Sequence, residues 1–234
     1  SWKDVRDTRV DIALLPWGAT EAHNFHMPYG TDTLQAEAVA AEAARIATDG
    51  GARVMVLPAM PFGVQTGQLD IPFCINMNPS TQAAVLRDVT ASLEPHGVRA
   101  LVVVNGHGGN DFRTLLRELQ PHTRMLLCTL NWWTTVDATR FFSEPGDHAG
   151  ELETAVLQHL TPDLVRPLSD AGPDSDGAYR HDASDIGGPT ENGEGVIRTD
   201  TAGSLGKSVW IGSTRTRGSS IRFTSFASST SFAN

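Results

Sequence analysis

A chain of 234 residues is long enough to bury a full hydrophobic core, and with 40% apolar and 19% charged residues it has globular composition, far from disordered, collagenous or membrane classes. Its formal charge of −9 repels a phosphate backbone, and no window approaches the roughly 18 uninterrupted apolar residues that span a bilayer, so neither nucleic acid nor a membrane is expected as a partner. The segment SWKDVRDTRVD has no apolar stretch of the secretory kind, and Cys74 and Cys128 form neither a CxxC pair nor a disulfide framework; the expectation is a soluble, cytoplasmic protein.

In chain order, Asp11 to Pro16 (DIALLP) is the first of four short aliphatic runs, followed by Arg53 to Pro58, Ala100 to Val104 and Arg124 to Leu130. Their β-branched or aliphatic content and flanking turn residues predict buried parallel strands. Between them, Leu34 to Thr48 is alanine-rich and stops at Gly50-Gly51. Ser80 caps a second helical stretch in which Val85, Val89 and Leu93 recur every four residues. Asn110 to Leu119 and Glu151 to Leu160 repeat the helical period. The β-α-β-α-β-α-β-α order predicts an α/β fold with three α/β/α layers around a mostly parallel sheet, its function beyond the carboxyl ends of the strands.

Three loops after strands carry the polar residues. The first, GATEAHNFHMPYGTD, crowds Glu21, His23, His26 and Asp32 into twelve positions. Carboxylates with imidazoles suit a borderline divalent ion such as zinc, manganese or iron, and Glu21 and His23 in extended chain point the same way. The structural alternative makes Asp32 the cap of a helix beginning at Thr33. The second, VVNGHGGN, sets His107 among three glycines at a strand-to-helix turn without the spacing of a nucleotide loop. The third brings Asp147, His148, Glu151 and Glu153 together at a helix start. The helix dipole accounts for the carboxylates there but disfavours a cationic His148, so a neutral or carboxylate-held imidazole is expected, suited to proton transfer or metal ligation.

The segments PWGATEAHNFHMPYGTD, VVNGHGGN and GDHAGELET resemble the creatininase (creatinine amidohydrolase) family, with weaker similarity reaching Thr190-Glu191-Asn192-Gly193. The resemblance implies an amidohydrolase with two divalent ions, zinc with manganese or iron, on a three-layer domain that forms homo-oligomers, often hexamers. By position, Glu21, His23, Asp32 and His107 correspond to metal ligands, Asp32 bridging the ions. Where creatininase has a ligating Glu two residues after the Asn-Gly-His histidine, this chain has Gly109, and Glu151 of HAGE is expected to substitute. His148 is the expected acid or base, with Asp147 or Glu153 orienting it. Asn24 stands where the family usually has Gly and is a pocket-lining candidate.

The expected chemistry is hydrolysis of a C–N bond in a small amide, cyclic amide or formamide by metal-activated water, His148 protonating the departing nitrogen. Trp132 and Trp133 either stack on a flat substrate or pack as core or interface aromatics. His26 is a ligand neighbour or pocket donor. The rival readings are a formylaminopyrimidine-nucleotide deformylase or a peptidase of the same family, and, outside enzymes, a metal- or anion-binding assembly subunit. Residues 195–234 hold 15 Ser or Thr and five bases against one acid, a net +4 that leaves −13 for residues 1–194. They read as a Ser/Thr/Arg-rich tail without chemistry, appended to a hydrolase domain.

Overall fold

The computed structural model describes residues 1–143, 146 and 148–171. The tail expected from 195, the boundary at 194, and Asp147 lie outside them. Four strands, β1 (Ile12–Trp17), β2 (Val54–Val56), β3 (Ala100–Asn105) and β4 (Leu126–Asn131), form one sheet in the order β2-β1-β3-β4, every pair parallel. They are preceded by the short α1 (Trp2–Arg6), for which the sequence reading had no counterpart. The remaining helices are α2 (Thr31–Asp49), α3 (Pro79–Leu93), α4 (Phe112–Leu119) and α5 (Glu151–Leu160).

The strand period of two sorts the core onto both faces. Ala13, Leu15, Trp17, Leu101, Val103 and Leu127 face α3 and α4, packing with Leu86, Phe112 and Leu116. Leu14 and Val104 face α2 and meet Ala40 and Ala44. The three layers are thereby realised. On α2, the buried Ala36, Ala40 and Ala44 recur every four residues, and small side chains let the helix lie close to the sheet. At Gly106, just past β3, a Cβ would stand only 2.4 Å from the Asp32 carbonyl oxygen. The first turn of α2 is thus jammed against the exit of β3.

Several boundaries differ from expectation. The first strand runs through Pro16 to Trp17. A residue's N–H and C=O point to the same side of a strand, and the Pro16 carbonyl accepts from the Met60 N–H where β2 has already ended, so no ladder bond needs the missing proline N–H. Asn78, with Pro79 at the first helical position, starts α3, rather than Ser80. Gly30 precedes α2, which places Asp32 inside its first turn instead of at the cap. Among the described residues no helix is long and apolar enough to cross a membrane.

Candidate metal centre

The strand order places β1 and β3 side by side while their following chains leave toward opposite faces, α2 on one and α4 on the other. This is the switch point at which open parallel sheets form a crevice. The loop after β1 delivers Glu21 and His23, the first turn of α2 delivers Asp32, and the turn after β3 delivers His107. These four side chains are 0–7% exposed. His23 Nε2 lies 2.9 Å from Asp32 Oδ1, and His107 Nδ1 lies 2.9 Å from Glu21 Oε1 and 3.0 Å from Asp32 Oδ2.

From α5 comes Glu153, whose Oε2 is 3.9 Å from His23 Nε2. Its neighbour in sequence, Glu151, is exposed as the first residue of that helix and belongs to none of the candidate ligand groups among the described residues. It is the carboxylate of Glu153, not that of Glu151, that stands with His23 and Asp32 in a candidate ligand group. Its Oε2 also accepts the Ala149 N–H at 2.5 Å, Ala149 being held in the left-handed region at φ 52°. A carboxylate at position 109 has no room, since even a Cβ there would come within 2.3 Å of the Val64 carbonyl oxygen and 2.5 Å of His107 Nε2.

His148 packs its ring on His23 with centroids 4.4 Å apart. Its Nε2 is 2.8 Å from the Ala22 carbonyl oxygen, which fixes that nitrogen as the N–H donor and places Nδ1 3.8 Å from Glu21 Oε1. His107 is fixed the other way up: its Nε2 donates to the Val64 carbonyl oxygen at 2.9 Å, and Nδ1 faces the carboxylates. Three ligand groups result, Glu21 with Asp32 and His107, His23 with Asp32 and Glu153, and Glu21 with His23 and His148. The first two share Asp32.

The electrostatics call for positive charge. Three carboxylates in this cage cannot stay ionised and buried without counter-charge. Burial opposes a charge on His23, but Asp32, Glu153 and Glu21 overcome it and push its pKa up to about 10. Against the same burial, Glu21 and Asp32 hold His107 well above its ordinary value. Burial favours neutral Asp32, yet His23 and His107 keep it well below the usual carboxylate range. Glu153 moves upward, driven first by burial and then by the Asp32 charge, against the pull of His23 and His148. Among the described residues, buried His23 Nε2 and Asp32 Oδ2 make no hydrogen bond of good geometry, although each faces a group of opposite charge at 2.9 and 3.0 Å. Imidazole nitrogens and carboxylate oxygens crowded together in this way fit a borderline divalent cation.

The other expected site residues take different places. His26 is buried, with Nε2 2.9 Å from Thr154 Oγ1, and burial and His23 lower its pKa. Asn24 adopts φ 51° and accepts the Phe25 N–H on its own side chain at 2.7 Å. A left-handed turn explains an Asn where Gly is usual. Trp132 is buried and meets the half-buried Trp133 edge to face, centroids 6.4 Å apart, just beyond β4 on the same rim. Sequence reasoning missed Gln65, which is buried and donates from Nε2 to Glu21 Oε2. Within VQTGQ nothing separates it from exposed-loop polarity.

Fold and cage together are those of an α/β/α protein with a buried group of candidate metal ligands at the ends of its strands. The sequence profile of the creatininase family, described as creatinine amidohydrolase, matches residues 1–221. The chain is 28% identical over 191 residues to the creatinine amidohydrolase of Pseudomonas putida, covering 70% of this chain and 71% of that protein. It is 30% identical over 162 residues to the mycofactocin precursor peptide peptidase of Mycolicibacterium smegmatis, covering 67% of this chain but spanning only 60% of that relative. In structure it is similar to a candidate creatinine amidohydrolase of Bacteroides fragilis, with 41% identity, a TM-score of 0.70, and coverage of 75% and 72% of the two chains. A manganese creatininase at 26% identity and a zinc–zinc creatininase variant at 25% are also similar, with TM-scores of 0.58 and 0.61 over 71% and 74% of this chain and 72% and 75% of theirs. The chain belongs to the creatininase family, whose fold is that of metal-dependent amidohydrolases.

Proposed function

We propose that this protein hydrolyses the C–N bond of a small amide, cyclic amide or formamide with two divalent ions, zinc with manganese or iron, per chain. The observation that carries the proposal is the pair of ligand groups, Glu21–Asp32–His107 and His23–Asp32–Glu153, built around one shared carboxylate. Glu21, Asp32 and His107 would hold one ion, and His23, Asp32 and Glu153 the other. When bound, such ions acidify a coordinated water and polarise a carbonyl.

The chain's own residues do the rest. Asp32, carried at the N-terminal turn of a helix, is favoured as the anion by the helix dipole as well as by the two imidazoles. His148 is oriented by its Nε2–H on the Ala22 carbonyl, so Nδ1 is the atom that would take up the proton lost by the attacking water and pass it to the departing nitrogen, which leaves poorly unless protonated. Glu153, expected to assist proton handling, is assigned here to ligation, and Asp147 remains the proposed orienting partner. Trp132 and Trp133 are proposed to bound the substrate at the β4 edge of the rim, with His26 and Asn24 shaping the β1 side.

A second reading, hydrolysis of a peptide bond, draws support from the peptidase relative of 30% identity. Elemental analysis of chelator-free protein, combined with turnover assays on creatinine, simple amides, formamides and short peptides, tests both. Close to two ions per chain and turnover confined to the small amides is the expected result. Turnover of peptides alone replaces the first reading with the second, and protein without stoichiometric metal removes both.

A further inference from the structure

Gln65 is 4% exposed, and its side chain is committed to the cage. Its Nε2 donates to Glu21 Oε2, the oxygen not facing His107, and lies 3.1 Å from His107 Nε2. The preceding residue, Val64, supplies the carbonyl that sets the His107 tautomer. One dipeptide of the crossover between β2 and α3 therefore grips both Glu21 and His107 from behind.

That dipeptide is itself held on both sides. The Gln65 N–H donates to Asn76 Oδ1 at 2.8 Å, and the Val64 N–H to Asn110 Oδ1 at 3.0 Å. Buried Asn110 also accepts from Gln82 Nε2 at 2.8 Å and donates to Asn105 Oδ1 at 3.1 Å, while Asn105 Nδ2 donates to the His107 carbonyl at 2.9 Å. The other ligand group leans on different elements. Glu153 is held by the Ala149 N–H, and its backbone carbonyl accepts from Gln35 Nε2 of α2 at 2.8 Å. The two halves share Asp32, and His23 Nδ1 lies 3.3 Å from the Glu21 backbone carbonyl, but the Gln65 side chain reaches only Glu21 and His107.

We propose that Gln65 is the positioning residue for one ion only, the one at Glu21, Asp32 and His107, by presenting Glu21 Oε1 to the cage. The inference rests on the two-ion reading above. A carboxylate whose second oxygen is bonded is fixed in rotation, and loss of such an outer partner typically costs about 10–100-fold in metal affinity.

The test is Gln65→Met, which keeps length and removes the donor. Chelator-stripped wild type and variant are titrated with Zn²⁺ and separately with Mn²⁺ by calorimetry, and the unfolding temperature of each stripped protein is recorded. Two binding steps are expected in wild type, with one step weakened about 10–100-fold in Gln65→Met, the other nearly unchanged, and the stripped protein about as stable as wild type. Asn76→Ala, which loosens the Gln65 backbone without touching a ligand, should weaken the same step to a smaller extent, and it carries the test should Gln65→Met fail to fold. Unchanged titrations, or equal weakening of both steps, overturn the proposal while leaving the two-ion reading intact. A wild type that takes up no ion overturns both.

Discussion

Replacing Gly63 by alanine adds one methyl group where the cage has no slack. Its Cβ would stand 2.7 Å from His107 Cδ2, 2.9 Å from the Ala19 Cβ and 3.0 Å from Asn110 Oδ1. Carbon atoms rest about 3.5 Å apart or more, so the closest contact is short by roughly 0.8 Å. Ala19 offers no rotamer to move, and Asn110 is tied to Val64, Gln82 and Asn105. The imidazole of His107 must therefore give way, straining its bond to the Val64 carbonyl or its approach to Glu21 and Asp32. Overpacking of this kind costs about 1–3 kcal/mol, and in a domain of this size each kcal/mol lowers the unfolding temperature by about 2–4 °C. Gly63 is not in the left-handed region, so the effect comes from the contact and not from backbone strain. Calorimetric unfolding of the stripped protein reads the stability loss, and titration with Zn²⁺ reads the damage to the ligand, expected to be about tenfold or more. Unfolding and metal uptake both equal to wild type would show that the crossover does not press on His107, and the account of a tightly supported ligand would fail.

Glu153→Gln should lower metal content by about one ion per chain whereas Glu151→Gln should leave it near wild type, as read by elemental analysis; the reverse pattern would return the ligand to the residue the motif suggested. His148→Ala should keep its metal and lose roughly a hundredfold or more in turnover, the scale of a missing acid or base, and loss of an ion in that variant would make its Nδ1 a ligand instead. Because carboxylates raise His23 to about 10, it carries a proton in the metal-free protein at neutral pH that a cation must displace, and the same carboxylates push His107 upward. Calorimetry in buffers of different ionisation enthalpy should show at least one proton released per chain at pH 7, with affinity rising toward pH 9. The linked stability runs oppositely: a raised His23 pKa stabilises the metal-free fold fully below about 6.5, and that contribution is lost as pH rises through about 10, so added Zn²⁺ should stabilise more at pH 9 than at pH 6.

The sequence by itself determined the layers and most of the cage. Short aliphatic runs alternating with helical periods leave a parallel sheet as the simple solution, and parallel strands send every following loop to one rim. Glu21, His23, Asp32 and His107 were legible for that reason, since each lies in the loop that follows a strand or in the first turn of the helix that loop leads into. The choice between Glu151 and Glu153 was different in kind. The two sit on the same turn of α5, about 200° apart around the helix at 100° per residue, and composition and motif fit either. Docking of α5 on α2, through Leu157 against Met27, Ala149 and Leu34, turns Glu153 inward and Glu151 to solvent. Gln65 reaches Glu21 across 44 positions of sequence because the crossover from β2 folds back over the strand ends. Local pattern records which side chains a segment offers; which of them face a shared cavity depends on how distant segments pack, and that is decided only when the burial of the whole core sets their positions.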